Sequence, residues 1–129
     1  MPGVVLLVDD AVLVCEAIEY LLTAAGYRVI AVPDSRRALD TLAEQHIDTA
    51  IVDMQLQGES GVALLASIHE QRPEVKTILM SGSFEQSATA PSQAMSVADA
   101  VLAKPVDLSA LRETLGRLMG KSRPAEGEG

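Results

Sequence analysis

Val4-Val5-Leu6-Leu7-Val8-Asp9-Asp10 joins five consecutive apolar residues to two carboxylates. A run this short, rich in β-branched side chains and without alternation, predicts a strand buried on both faces, and such strands belong to parallel sheets. Ala11 to Ala25 follows with Val14, Ile18, Leu21, Leu22 and Ala25 at helical spacing, and Gly26 stands where a left-handed C-terminal cap is expected. A buried strand followed by a helix is the opening half of a βαβ unit, so the rest of the chain decides the fold by whether it repeats the pattern.

It does. Arg28 to Val32 reads as a second strand. Pro33-Asp34-Ser35 supplies a turn and an N-cap for a helix running to about Gln45, with Ala38, Leu39 and Leu42 inward. Thr49 to Val52 is a third strand ending at Asp53. A loop from Met54 to Ser60 leads to a helix carrying Val62, Leu65 and Ile68, which stops before Pro73. Lys76 to Met80 and Asp99 to Ala103 are the fourth and fifth strands. Asp107 then caps a final helix lined by Leu108, Leu111, Leu115 and Leu118. Between the last two strands, Ser83 to Ala98 is rich in Ser and Thr and holds Pro91, which predicts a short, irregular or mobile helix. Ser122 to Gly129 is Pro/Gly/Glu-rich and reads as a disordered tail or linker, leaving residues 1–121 as one domain. Strand and helix alternate five times, the pattern of a doubly wound α/β domain around a parallel sheet.

Composition narrows the function. The chain has 129 residues, enough for one core, and 48% of them are hydrophobic. Tyr20, Tyr27 and Phe84 are the only aromatics, so Val, Leu, Ile, Ala and Met build the core. Ten basic against eighteen acidic residues give a net charge of −8, which opposes docking on nucleic acid or anionic membrane. The single cysteine, Cys15, excludes an internal disulfide and reads as a small, partly buried apolar residue rather than a reactive thiol. No segment reads as a signal peptide or membrane span, and a soluble cytoplasmic protein is expected. His46 and His69 read as solvated or helix-end residues, and Gly58, Gly61 and Gly82 as products of turns and close packing.

The chemistry collects at the strand ends. The first strand ends in Asp9-Asp10, the third in Asp53, the fourth in Ser81 and the fifth in Ala103-Lys104. All carboxyl ends of a parallel sheet lie on one edge, where ligands bind, and right-handed crossovers favour placing the first and third strands side by side. Three carboxylates then meet beside one hydroxyl and one ammonium. Such a cluster must protonate or bind a cation, and oxygen ligands suit Mg²⁺. With the ion in place, Asp53 can attack phosphorus, while Lys104 and the Ser81 hydroxyl meet the charge that builds on the transferred group. Taken singly, Asp9-Asp10 reads better as a helix cap, Asp53 and Ser81-Gly82 as turn residues, and Lys104 as a solvated charge. Their coincidence at the ends of four strands is what selects the joint site.

From Val4 to about Met119 the chain resembles the receiver domains of response regulators in two-component signal transduction. The acidic pair after Leu7-Val8, Asp53 after an apolar strand, Gly61 eight residues later, Ser81-Gly82 and Lys104-Pro105 carry the resemblance. It implies a flavodoxin-like sheet of order 2-1-3-4-5 with helices on both faces. It also implies that Asp53 is the phosphoacceptor, supplied by a histidine kinase or histidine phosphotransfer protein. Asp10, Asp53 and the backbone carbonyl of Gln55 would ligate Mg²⁺ directly, with Asp9 acting through water. Lys104 would pair with the acidic cluster and then with the phosphoryl oxygens, and Ser81 would act as the switch hydroxyl. Gln55 and Ser83 would tune the lifetime of the aspartyl phosphate, and the Lys104-Pro105 bond would be cis.

Three positions depart from the family pattern. Val101 replaces the usual switch aromatic, Gln57 the usual proline, and the segment before the fifth strand is atypical for a helix. None removes a ligand; what they touch is coupling to the output surface. The resemblance describes a signalling receiver that catalyses only its own phosphorylation and dephosphorylation, as a monomer or weak dimer with an unidentified downstream partner. It is read as a free-standing regulator or a piece of a larger protein, such as the receiver of a hybrid sensor kinase. A haloacid-dehalogenase-like phosphatase would need a second Asp where Gln55 stands. A degenerate, protein-binding receiver would ordinarily have lost an acidic residue or the lysine, and a flavin protein would need a hydroxyl- and Gly-rich phosphate loop after the first strand.

Overall fold

The computed structural model describes residues 3–56, 58–82, 98–104 and 106–120. In chain order the first half comprises β1 (Val4–Val8), α1 (Val12–Ala24), β2 (Arg28–Val32), α2 (Ser35–Glu44) and β3 (Thr49–Asp53). The second half comprises β4 (Gln55–Leu56), β5 (Glu59–Ser60), α3 (Gly61–Gln71), β6 (Lys76–Ser81), β7 (Ala100–Ala103) and α4 (Leu108–Gly120).

Five strands pair in parallel in the order β2-β1-β3-β6-β7. Counted within that sheet, this is second, first, third, fourth, fifth, as expected. The register sets Val8 of β1 opposite Val32 on one side and Val52 on the other, and Asp53 opposite Met80. Because side chains alternate across a strand, the unbroken apolar runs feed two cores. Leu6, Val8, Ala50, Val52 and Leu79 pack with α2 and α3 through Ala38, Leu42, Leu64, Leu65 and Ile68. Val5, Leu7, Ile51, Ile78 and Met80 pack with α1 and α4 through Ile18, Leu22, Leu111, Leu115 and Leu118. Burying each large aliphatic side chain contributes about 1.5–3 kcal/mol, so both faces must be covered for the sheet to persist.

The local signals behave as their chemistry requires. Asp34 caps α2 by accepting the Arg37 N–H at 2.9 Å, and Asp107 accepts the Ser109 N–H at 2.9 Å as α4 begins. Gly26 closes α1 with φ of 101°. On α3 the buried apolar set is Leu64, Leu65 and Ile68, while Val62 is half-buried and packs against the same core. β6 runs one residue further than expected, to Ser81. β7 starts one later than expected, because Asp99 turns its carboxylate to the Thr77 N–H at 2.8 Å before the strand begins.

The stretch expected as a plain loop from Met54 to Ser60 contains an antiparallel hairpin, with Gln55 opposite Ser60 and Leu56 opposite Glu59. Gly58, at φ of 74°, makes the turn, and Leu56 anchors the hairpin in the core. Strands of two residues carry no periodicity that sequence alone reveals. The expected irregular helix between Ser83 and Ala98, the tail from Ser122, and the positions Gln57, Ser83 and Pro105 (with its cis bond) lie outside the described residues, apart from the half-buried Ala98.

Candidate functional site

Parallel pairing puts the ends of β1, β3, β6 and β7 on one edge, and the acidic residues converge there. Carboxylate oxygens of Asp9, Asp10 and Asp53 all lie within 4.8 Å of one another. Asp9 and Asp53 are buried and Asp10 is exposed, so the cluster opens to solvent on one side.

Asp9 is held by its surroundings rather than by a helix cap. Its N–H continues the ladder to the Val32 carbonyl, and its Oδ1 accepts the Ala11 N–H at 2.8 Å. Its own carbonyl accepts the Cys15 thiol proton at 3.2 Å. The N-cap of α1 is Ala11, without any side-chain cap, so the helix-cap reading of the acidic pair fails. What remains is Asp9 Oδ2, buried and without a hydrogen-bond partner among the described residues. Burial pushes the Asp9 carboxyl above its ordinary value of 3.8, and the nearby Asp53 charge adds to that, against the lowering effect of the Ala11 bond.

Asp53 is contacted on both oxygens. Lys104 Nζ lies 2.9 Å from Oδ2, and the Gln55 N–H donates to Oδ1 at 3.2 Å. Lys104 also reaches to 3.9 Å from Asp9 Oδ2. It is not a solvated charge: its side chain is 27% exposed, and β7 delivers it through a Lys104 N–H bond to the Ser81 carbonyl at 2.9 Å. Burial works against the charge on Lys104, but the hydrogen bond and negative charge of Asp53, followed by Asp9 and Asp10, outweigh it and hold its pKa above 10.5. Asp53, Met54, Gln55, Gly82 and Lys104 line a cleft of about 120 Å³ beside this pair.

Gly61 explains how α3 approaches the site. A methyl carbon at that position would overlap the Asp53 carbonyl oxygen and crowd Met54, and the Gly61 N–H donates to the Met54 carbonyl at 2.8 Å. Close packing therefore requires this glycine, and Gly58 serves a turn. Gly82 has no positive φ, and among the described residues a side chain there would make only ordinary contact with Lys104.

The expected residues thus fall into a cluster and a periphery. Asp9, Asp10, Asp53, Gln55 and Lys104 come together. Ser81 stands one residue past Met80, the register partner of Asp53, with its hydroxyl buried and without a hydrogen-bond partner among the described residues. Val101 lies further down β7, opposite Leu79, and packs on the α2–α3 core. His46 is exposed with Nε2 2.8 Å from Asp48 Oδ1, and His69 is exposed in the last turn of α3; neither approaches the cluster. Cys15 is half-buried and its thiol is pushed up to about 11, first by burial and then by Asp9, which suits an unreactive residue. Sequence reasoning missed its bond to Asp9, because nothing in the spacing distinguishes it from an ordinary apolar contact.

The donor set fits a divalent cation. Three carboxylates face one ammonium, and a buried carboxylate oxygen is left for a further partner. Among the described residues no helix is long and apolar enough to cross a membrane.

A family model described as the response regulator receiver domain matches residues 5–116. The transcriptional regulatory protein ZraR of Escherichia coli K12 is 27% identical over 124 residues, covering 96% of this chain and 28% of the relative. The response regulator protein FleR of Pseudomonas aeruginosa is 32% identical over 127 residues, covering 93% of this chain and 26% of the relative. The chain therefore spans about a quarter of the length of these curated relatives. Among solved structures, a CheY-like receiver domain protein from Methanospirillum hungatei JF-1 superposes with a TM-score of 0.87 at 25% identity, covering all of both chains. NtrX from Brucella abortus superposes with a TM-score of 0.84 at 25% identity, over 98% of this chain and 28% of that one.

Proposed function

Because the chain belongs to the response regulator receiver domain family, we propose that it accepts a phosphoryl group on Asp53 in a Mg²⁺-dependent reaction. The donor is a phosphohistidine on a histidine kinase or histidine phosphotransfer protein. The observation that carries this reading is the Lys104 ammonium 2.9 Å from Asp53 within a three-carboxylate cluster. An Asp53 carboxylate oxygen forms the new bond to phosphorus as the phosphorus–nitrogen bond of the donor breaks, and the imidazole leaves with the electron pair and takes up a proton. Lys104 follows the charge onto the phosphoryl oxygens, and the Ser81 hydroxyl, without a hydrogen-bond partner among the described residues, offers them a hydrogen bond. Asp10, Asp53 and the Gln55 backbone carbonyl would hold the Mg²⁺ ion, with Asp9 acting through water. When bound, the ion supplies positive charge opposite the transferred group.

A donor protein must reach the solvent-open side of the cluster. Val12 and Leu13 are exposed at the start of α1, immediately beyond Asp10, and give such a partner apolar surface, with Tyr20 exposed further along the same helix. Residues 1–121 are assigned to the receiver unit, with 122–129 outside it. The phosphorylated state acts by conformational change, through Ser81 and Val101, on a downstream partner. The protein is assigned to the cytoplasm, as a monomer or weak dimer.

The reading is tested by incubating the protein with acetyl phosphate and Mg²⁺ and following mass. One phosphoryl adduct is expected, absent with chelator and absent in Asp53→Asn. Equal labelling of Asp53→Asn and the parent would overturn the assignment.

A further inference from the structure

The β4–β5 hairpin is tied to a second element, and the tie involves a residue that the function described above does not use. Glu59 stands on the β5 limb, opposite Leu56, and its Oε1 accepts the Ser35 N–H at 3.0 Å. Ser35 opens α2, and its N–H is one of the amides that a helix start leaves without a carbonyl partner. Asp34 serves the Arg37 N–H of the same turn, so Glu59 satisfies a donor that the cap does not. A carboxylate at this end of a helix also gains from the helix dipole.

The other limb of the hairpin enters the site. Gln55 pairs with Ser60, lines the cleft and donates its N–H to Asp53 Oδ1 at 3.2 Å. The base of the hairpin is fixed by Ser60, whose Oγ accepts the Ala63 N–H, and by the Gly61 bond to Met54. We propose that Glu59 is a positioning residue for the Asp53 site: its bond to α2 fixes the hairpin so that the Gln55 backbone is held beside Asp53. The inference rests on the reading of Asp53 and Gln55 as parts of a cation-assisted phosphoacceptor site. Linkage makes the effect reciprocal: if the Glu59 tie favours cation binding, the cation strengthens the tie by the same factor.

Glu59 is exposed, so its replacement leaves the core intact. Mg²⁺ titrations of the parent, Glu59→Ala and Glu59→Gln are compared with amide exchange in the metal-free proteins. Glu59→Ala is expected to weaken Mg²⁺ binding about two- to fivefold, with Glu59→Gln, which keeps the acceptor oxygen, restoring most of the affinity. In metal-free Glu59→Ala, exchange quickens at both Ser35 and Gln55 while the buried Val52 amide is unchanged, and in the parent Mg²⁺ slows exchange at Ser35. Unchanged Mg²⁺ affinity in Glu59→Ala, an equal loss in Glu59→Gln, or faster exchange at Ser35 alone would overturn the positioning role. A parent protein that takes up no Mg²⁺ would instead overturn the underlying reading of the site, and this inference with it.

Discussion

Lys104 Nζ lies 2.9 Å from Asp53 Oδ2 and 3.9 Å from Asp9 Oδ2, so one ammonium from the end of β7 faces carboxylates from the ends of β1 and β3. Replacing it by Ala removes the protein's own cation from the place where phosphoryl charge develops. Loss of one such preorganised partner is expected to slow labelling of Asp53 by about a hundredfold or more. Mg²⁺ binding should persist, because all three carboxylates remain. Initial rates with acetyl phosphate, beside a Mg²⁺ titration of the same variant, check both halves; an unimpaired rate would remove Lys104 from the reaction.

Asp9 makes stability depend on pH in a definite direction. Its carboxyl pKa is raised by burial, so between 3.8 and the raised value the folded chain holds a proton that the unfolded chain has lost. Stability from this group therefore falls as pH rises through that window, and at neutral pH the metal-free protein carries a buried charge that resists folding. Asp9→Asn is expected to be more stable than the parent at pH 7 in chelator, with the advantage shrinking as pH falls toward 3.8. The parent should be stabilised more by Mg²⁺ than the variant, since ligand binding to the folded state alone raises stability. Chemical denaturation at the two pH values, with and without Mg²⁺, measures all of these; a variant less stable than the parent in chelator would refute the account.

Gly61 allows no side chain, because the first turn of α3 rests on the Asp53 backbone. Gly61→Ala forces either the helix or the Asp53 loop to move, and overpacking of this kind costs about 1–3 kcal/mol. The displacement falls on the phosphoacceptor itself, so labelling of Asp53 should drop further than the stability loss explains. Gly116→Ala is the control, since a side chain there meets open space on α4 and should leave labelling unchanged. Denaturation midpoints and labelling rates of the two variants give the comparison.

The legible parts of this chain are those where one residue type serves one physical need. Val4 to Val8 had to be covered on both faces, and Asp9, Asp53, Ser81 and Lys104 follow apolar runs whose parallel pairing leaves them one edge to share. Crossover handedness then leaves few other places for β1 and β3. The β4–β5 hairpin was not legible, because Gln55-Leu56 and Glu59-Ser60 are too short to show a period and Leu56 alone carries the burial. Glu59 on Ser35 and Cys15 on the Asp9 carbonyl escaped for a related reason: each joins positions whose proximity only the folded backbone decides. On α3, Leu64 joins Leu65 and Ile68 in the buried set while Val62 packs half-buried against the same core, a distinction that spacing alone does not make.

Thr49 is a buried polar residue that the site does not use. It is fully buried in β3, between Val5 of β1 and Lys76 of β6, and its Oγ1 has no hydrogen-bond partner among the described residues. A hydroxyl removed from water without compensation costs more than the fold recovers from it, whereas Val keeps the branched shape that suits a strand. Thr49→Val is therefore expected to stabilise the protein by about 1 kcal/mol. Asp53 lies at the opposite end of the same strand, so Mg²⁺ affinity and labelling by acetyl phosphate should match the parent. Urea denaturation beside a labelling assay separates the two effects, and a destabilised variant would show that the Thr49 hydroxyl has a partner in solution.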